Sequence, residues 1–459
     1  METRKETDSL GAVHVPGDAY YGAQTQRAVD NFPATGLRFS SAFISALALI
    51  KRCAAEVNRD LGLLDPELAA AIVTAAKEVM DGEHHDQFVV DILQTGSGTS
   101  TNMNMNEVIA ARSNEILTGQ KGGKSPVHPN DHVNLGQSSN DVIPTTIHVA
   151  AAIAIDNRLL PGLKTLRESF EEKAIIFSAV PKIGRTHHQD AVPITLGQEF
   201  SGYARQVELG AERIAGTMKG LNELALGGTA VGNGLNTHPE FARRCIRKIT
   251  DTTDLQFHEA HNHFEAQAAK DAAVHTSGAL RTVAVSLVKM ANDLRLLGSG
   301  PRCGIGELKL PALQPGSSIM PGKVNPVIPE SVIQAAYQVI GNDTTITLCG
   351  QSGTLELNVT MPVLAYNLLQ SIELLSVSVH NFARNCIAGL EADDQVCGEY
   401  IEKSMALVTA FVPRLGYDKA ADLAKKAYAS GKTIRQVALE EKVLPEQEIH
   451  QLLGGSMVP

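Results

Sequence analysis

Five stretches in the middle of the chain, near residues 145–178, 195–225, 264–298, 327–348 and 361–388, are rich in alanine and leucine and broken by few Gly or Pro. Several exceed the usual length of a globular helix. From Phe264 to Leu297, Ala, Val, Leu and Met cover much of the circumference, which suits a helix enclosed by other helices more than one lying on a surface. Aromatic residues make up only 4% of the chain and Trp is absent, so these helices must pack through small and aliphatic side chains that permit close approach. A mainly α fold built on a long helical bundle follows, and so much apolar helix surface predicts burial in an oligomer. Strand signals are sparse throughout.

The remainder is organised around that bundle. At 459 residues the length suggests two to four domains, divided here as an N-terminal domain (1–136), the central bundle (137–391) and a small helical C-terminal domain (392–459). Residues 1 to about 40 carry Gly, Pro and Asp punctuation and read as irregular structure. The pattern turns helical at Ser41, and Asp65-Pro66-Glu67 opens a capped helix ending near Gly82. After Ala392 the helices shorten: Gly416-Tyr417-Asp418 starts one, Gly431 ends it and Pro445 opens another. No internal repeat or low-complexity tail is visible.

Charge narrows the partners. The 40 basic and 50 acidic residues give a net charge of −10 without any basic run, a poor surface for nucleic acid or anionic membrane. An anionic substrate would therefore need local positive charge. The N-terminus lacks the apolar core of a signal peptide and no later apolar run reaches the roughly 18 residues that span a bilayer, so a cytoplasmic protein is expected. The six cysteines are scattered, without C-x-x-C or zinc-like spacing, and are expected to be reduced thiols.

Packing does not explain the run Gly316-Ser317-Ser318-Ile319-Met320-Pro321-Gly322-Lys323-Val324-Asn325-Pro326. Its glycines permit close approach or positive φ, and its prolines push the residues before them towards extended geometry. In such a segment Lys323 and Asn325 share one side, a cation and an amide suited to a carboxylate, and a serine flanked by inward-pointing amides can serve as nucleophile or base. A turn with Asn325 as N-cap and Pro326 at the first helical position is compatible with this. A nucleotide P-loop is not: five residues separate Gly316 from Gly322, and Val324 stands where a Ser or Thr is needed.

Three further polar clusters precede it. Gln94 to Glu107 gathers hydroxyls and amides, including Ser97, Thr99 and Asn102, ahead of a helical pattern that begins near Glu107, where free N–H groups favour an anion. His128-Pro129-Asn130-Asp131-His132-Val133-Asn134 is followed by Gly136-Gln137-Ser138-Ser139-Asn140-Asp141, which offers hydroxyl and amide donors at the start of the long helix that follows; either can be capping alone. Gly184-Arg185-Thr186-His187-His188-Gln189-Asp190 holds paired histidines, a pattern that is often only a wet surface. His258, His261 and His263 lack a fourth ligand and read as a solvated loop.

These blocks together resemble the fumarase/aspartase superfamily, over nearly the whole chain and in the family's order. The resemblance implies a homotetramer whose central domains join in one helical core, with active sites shared between subunits, acting on a small dicarboxylate without metal or cofactor. It implies that Ser138, Ser139 and Asn140 bind substrate carboxylates, that Thr186 and His187 lie against the substrate with Glu330 orienting His187, and that Ser317 is the catalytic base. Lys323 and Asn325 join the substrate-binding set, while His128, Asn130 and Asp131 form a secondary anion site. Within the superfamily, Thr95-Gly96-Ser97-Gly98-Thr99, His128-Pro129-Asn130-Asp131, Ser138-Ser139-Asn140-Asp141 and Leu226-Gly227-Gly228-Thr229-Ala230-Val231-Gly232 resemble class II fumarases of the tricarboxylic acid cycle. Aspartate ammonia-lyases, the alternative, tend to carry Gly-Gly-Ala-Gly-Thr in the first block and Ser-Thr-Asn-Asp in the third. Val327-Ile328-Pro329-Glu330 occurs in both, and His188 stands where leucine is common. A non-catalytic structural relative, of the kind found among lens crystallins, is a distant third reading.

Overall fold

The computed structural model describes residues 2–32 and 35–454. In chain order it contains β1 (Thr3–Asp8), β2 (Gly11–Pro16), α1 (Ala23–Asn31), α2 (Ser41–Asp60), α3 (Pro66–Met80), α4 (Thr99–Thr118), α5 (Ser139–Ala154) and α6 (Leu160–Ile176). There follow β3 (Pro181–Thr186), β4 (Gln189–Thr195), α7 (Leu196–Leu221), α8 (Phe241–Thr253), α9 (His263–Ala268), α10 (Asp271–Leu297), α11 (Val327–Gly350) and α12 (Met361–Asn385). Short helices α13 (Asp394–Lys403), α14 (Val412–Leu415), α15 (Tyr417–Ser430), α16 (Ile434–Glu440) and α17 (Glu446–Gly454) complete it, so the fold is mainly α as expected.

The N-terminal segment departs from the irregular reading. β1 and β2 pair antiparallel from Thr3 opposite Pro16 to Asp8 opposite Gly11. Thr-Arg-Lys-Glu-Thr-Asp has no apolar alternation, so the strand leaves no hydrophobic period to read. Its anchors are polar: Arg4 donates to the carbonyl oxygens of Pro16 and Tyr21, and Asp8 accepts from Arg27 Nε at 2.7 Å. The helix expected over 264–298 is also interrupted. Ala269 is extended, and the buried Lys270 ammonium donates to the carbonyl oxygens of Ala266 and Gln267, replacing the bonds a continuous helix would have made. The stretch near 145–178 is longer than expected, since α5 and α6 run together through a widened turn, Ile155–Leu159, just ahead of Pro161.

The chain divides into two compact units: residues 1–161, 212–284 and 337–376, and residues 162–211, 285–336 and 377–459. In the first unit α2 packs against α3, α5 and α8 through fully buried Phe43, Leu47, Ile50 and Val57. α3 starts where expected, with Asp65 accepting from the amides of Glu67 and Leu68. In the second unit Phe170, Phe177, Phe200, Tyr203 and Phe382 form one aromatic cluster. A separate core of Leu407, Phe411, Leu423, Ile434 and Ile449 joins the short C-terminal helices.

The stretch Met361–Gly389 is, against expectation, long and apolar enough by composition to cross a membrane, at 29 residues and a mean hydropathy of 1.2. Leu364, Leu368, Leu375, Val379 and Phe382 along it are each fully buried within the protein, which marks a core helix.

Candidate active site

Two helix N-termini in the first unit build a polar cleft. α4 begins at Thr99, eight residues earlier than the pattern near Glu107 suggests, so the Asn-Met alternation lies on the helix itself and Asn102, Asn104 and Asn106 are buried. Gly98 takes φ +76° at its start, which lets Ser97 and Thr99 turn towards each other. Ser97 Oγ and Thr99 Oγ1 are 2.7 Å apart, and Thr99 Oγ1 and Ser139 Oγ 2.6 Å, so one chain of hydroxyls links the starts of α4 and α5. Free backbone amides and both helix dipoles favour an anion there.

α5 is fixed by a capping box. Ser138 Oγ accepts from Asn140 N, and Asp141 Oδ1 accepts from Ser138 N at 2.9 Å. Asp141 does more than cap, because its Oδ2 accepts from Gly227 N and Thr229 N at 3.0 Å each and ties the glycine-rich loop to the helix start. Burial pushes its carboxyl up to about 6, against the pull of those three amides. Asn140 Nδ2 donates to Ala230 O on the same loop. The resulting cleft, about 440 Å³, is lined by Thr99, Asn102, Ser138 and Ser139 together with Asn134 and Gln137. Asn130 lies at its edge, where His128 caps a widened turn, accepting at Nδ1 from Asn130 N and Asp131 N. His128 Nδ1 is also 3.3 Å from exposed Asp131.

The second unit carries the remaining candidates. Gly316 N donates to Lys323 O, Asn325 Nδ2 donates to Gly316 O at 2.7 Å, and Lys323 Nζ donates to Asn325 Oδ1 at 2.8 Å. Lys323 and Asn325 therefore face each other, and a Cβ on Gly316 would come within 2.8 Å of Asn325 N. The loop hands Ser317 Oγ two amide donors, Ile319 N at 3.2 Å and Met320 N at 3.0 Å. Asn325 does not act as an N-cap: its side chain closes the loop, α11 starts at Val327, and Glu330 lies in its first turn.

Thr186 and His187 stand at the tip of the β3–β4 hairpin, exposed to solvent. Thr186 pairs with Gln189, so His187 and His188 are the two central residues of a tight turn, with φ of +56° and +59°. Asn or Gly normally occupies such a turn, and holding two histidines there costs about 1–3 kcal/mol each, a strain more typical of functional sites than of plain surface. This accounts for His188, which the sequence left without a role: it is the other half of the turn that presents His187. The hairpin base is rigid, because buried Lys182 bonds Glu199 at 2.9 Å and Arg185 bonds fully buried Glu307 at 2.9 Å. Among the described residues no hydrogen bond joins His187 to Glu330 within one chain.

Asn134, Gln137, Thr229, Ala230, Leu235 and Asn236 also line the cleft; the sequence places Asn134 and Gln137 in its polar clusters but gives none of these residues a site role. The Gly-Gly-Thr-Ala-Val-Gly run, offered by the sequence only as a fumarase-like block, holds Thr229 at φ +55°, and Asn236 beyond it sits at +64°. The three histidines read as one solvated loop are divided. His258 lies in a short strand pair, and His263 opens α9 with its ring nitrogens near Ala225 O and Glu259. Glu78, Glu83 and His84 also come together, but Glu78 is held by Arg112 at 2.7 Å.

A lyase family profile matches residues 11–341 and a profile of the fumarase C C-terminus matches residues 407–454. The chain is 56% identical to the class II fumarate hydratase of Halobacterium salinarum, over 98% of this chain and 96% of that one. It is 54% identical to the enzyme of the same description from Nitrosomonas europaea, over 95% and 94%. Among solved structures, recombinant class II fumarase from Schistosoma mansoni superposes with a TM-score of 0.95 at 41% identity, covering 98% of both chains. A cobalt-bound fumarate lyase:delta crystallin from Brucella melitensis gives 0.94 at 46% identity, again covering 98% of both.

Proposed function

The chain belongs to the class II fumarate hydratases, and we propose how its residues divide the work of interconverting fumarate and L-malate. Dehydration removes a weakly acidic proton from the carbon next to a carboxylate and expels hydroxide from its neighbour. The electrons flow into that carboxylate as an aci-carboxylate carbanion, so donors must surround the oxygen that gains charge. Ser97, Thr99, Asn102, Ser138, Ser139 and Asn140 hold the dicarboxylate, with Thr186, Lys323 and Asn325 adding donors.

Ser317 is the base at C3. A serine hydroxyl holds its proton too tightly for this role unless its alkoxide is stabilised, and burial alone would make matters worse. The single observation that carries the assignment is the pair of amides, Ile319 N and Met320 N, already aimed at Ser317 Oγ. Closure of the loop over substrate would exclude water and strengthen both bonds. His187, oriented by Glu330, activates the water at C2, where a carboxylate partner fixes the tautomer and raises the basicity of the ring.

A homotetramer completes the site. Val285, Tyr337, Leu348 and Val377 on the long helices α10, α11 and α12 are each more than half exposed in one chain, an arrangement that suits burial against other copies. Sharing of the site between subunits would supply the contact between His187 and Glu330 that one chain lacks. The secondary anion site is His128, Asn130 and Asp131, the compartment is the cytoplasm, and the pathway is the tricarboxylic acid cycle.

Ser317→Ala tests the assignment. With L-malate as substrate and fumarate followed by its ultraviolet absorbance, the variant should lose most turnover while its circular dichroism and assembly stay those of the wild type. Turnover close to wild type would remove Ser317 from the mechanism.

A further inference from the structure

No Asp, Glu, Lys or Arg lines the cleft between α4 and α5 among the described residues. An anion held there meets only neutral donors and helix ends from its own unit. One cation lies directly behind the wall. Lys51 on α2 has 0% exposure, and its Nζ donates to Asn134 Oδ1 at 2.9 Å and to Gln137 Oε1 at 3.0 Å, both residues of the cleft lining.

That contact fixes more than two side chains. Asn134 Oδ1 also accepts from Asn102 Nδ2 at 3.2 Å and from Asn106 Nδ2 at 3.1 Å, while Asn134 Nδ2 donates to Gln137 O. The ammonium cannot accept, so it forces the oxygen of Asn134 inward, and this in turn sets which way Asn102 points its amide. An ammonium buried this deeply is costly, and packing alone would be served by an apolar side chain of the same length.

We propose that Lys51 is a positioning residue that charges the cleft from behind, acting through Asn134 and Gln137 to favour a dicarboxylate without touching it. The inference rests on the cleft being the dicarboxylate site. Burial pushes Lys51 down to about 7, and the ionisable groups bearing on it are Asp141 from α5 and Cys245 from α8. Asp141 is itself turned to the amides of Ser138, Gly227 and Thr229. α4 and the turn that follows His128 present only amide side chains to the ammonium network, Asn102, Asn106 and Asn134. A bound dianion therefore draws a proton onto Lys51, and affinity weakens as rising pH empties that site.

The test uses succinate, a dicarboxylate that does not react, as competitor against L-malate. In Lys51→Met the inhibition constant of succinate and the KM of L-malate should rise roughly tenfold or more, with kcat moving less than about threefold. Wild-type affinity for succinate should fall between about pH 7 and pH 9, and the variant should lose that dependence. Lys51→Arg, which keeps the cation, should recover much of the affinity. Unchanged constants in Lys51→Met, or an unchanged pH dependence, overturn the proposal. Failure of the wild type to bind succinate in competition with malate overturns instead the reading of the cleft.

If Lys51→Met does not fold, calorimetry of succinate binding to the wild type in two buffers of different ionisation enthalpy decides the matter. At about pH 8.5 ordinary histidines are neutral, so uptake of a substantial fraction of a proton supports Lys51 and none overturns it.

Discussion

Gly96 offers a perturbation whose size can be worked out from the structure. A Cβ built on it would lie 1.6 Å from Val359 O and 2.4 Å from the carbonyl carbon. Side-chain carbons do not approach closer than 3.0 Å, so Gly96→Ala demands a shift of about 1.4 Å from one segment or the other. Val359 cannot supply it cheaply. Its neighbour Asn358 is fully buried with Nδ2 donating to Cys349 O at 2.8 Å, and Thr360 Oγ1 donates to the same carbonyl at 3.0 Å. The displacement therefore falls on Gly96 and on Ser97 beside it. The hydroxyl contacts of 2.7 and 2.6 Å that link Ser97, Thr99 and Ser139 tolerate a few tenths of an ångström, not a full one. A displacement of this order at a positioning group is worth about a hundredfold in rate, and the overpacking itself about 1–3 kcal/mol. We expect kcat/KM for L-malate to fall about a hundredfold in Gly96→Ala, with a lower denaturation midpoint. Gly398→Ala, at a helix position with nothing within 4 Å of the new Cβ, is the control and should leave activity unchanged and stability equal or slightly higher. A Gly96→Ala enzyme within about threefold of wild type would show that the segment at Val359 yields, and that the hydroxyl chain does not depend on this close approach.

Two further outcomes can be measured directly. His148 is densely surrounded, although an edge stays accessible, with Nδ1 bonded to Glu223 O at 2.8 Å; burial pushes it down to about 4. The unfolded chain binds that proton near pH 6.5 and the folded protein only near 4, so stability is full above about 6.5 and falls by roughly 1–3 kcal/mol as pH drops towards 4. Urea midpoints at about pH 7 and pH 5 should differ more in the wild type than in His148→Gln, and equal differences would exclude His148 as the cause. Val285 and Val377 are 55% and 53% exposed on α10 and α12. Val285→Lys with Val377→Lys should lower the mass seen by light scattering and take activity with it, whereas an unchanged mass with full activity would place the proposed interface elsewhere.

How far the sequence could be read depended on the kind of interaction that fixes each segment. The long helices were legible because burial on most sides leaves a continuous apolar record, and α11 and α12 fall within a few residues of the expected bounds. α3 was legible because Asp65 and Pro66 state its start locally. β1 and β2 were not, since their stabilising contacts, Arg4 on distant carbonyls and Asp8 on Arg27, carry no period. The break at Ala269 was hidden for a related reason: Lys270 looks like any surface lysine until its ammonium is seen capping the preceding turn from a buried position.

The same distinction separates the parts of the site. The loop from Gly316 to Asn325 is closed by bonds among its own residues, so its Gly/Pro pattern and alternation were enough to put Lys323 and Asn325 on one side, where the structure bonds them to each other. The cleft is assembled from segments about 40 to 90 residues apart, such as Thr99 against Ser139 and Asp141 against Gly227, and no local pattern can encode such a meeting. Sequence offered candidate donors, but not the groups that orient them. Those second groups are polar residues inside the protein, where an unpartnered amide or charge costs several times what a packed one does, so each must have its partner supplied by the fold. Lys51 is the extreme case. Amid the apolar pattern of α2 it reads as an interruption, and only its two bonds across to Asn134 and Gln137 turn that interruption into a reason for the residue to be there. In a chain of this class, a charge breaking the apolar face of a core helix is therefore the sequence feature from which a search for hidden electrostatic support should begin.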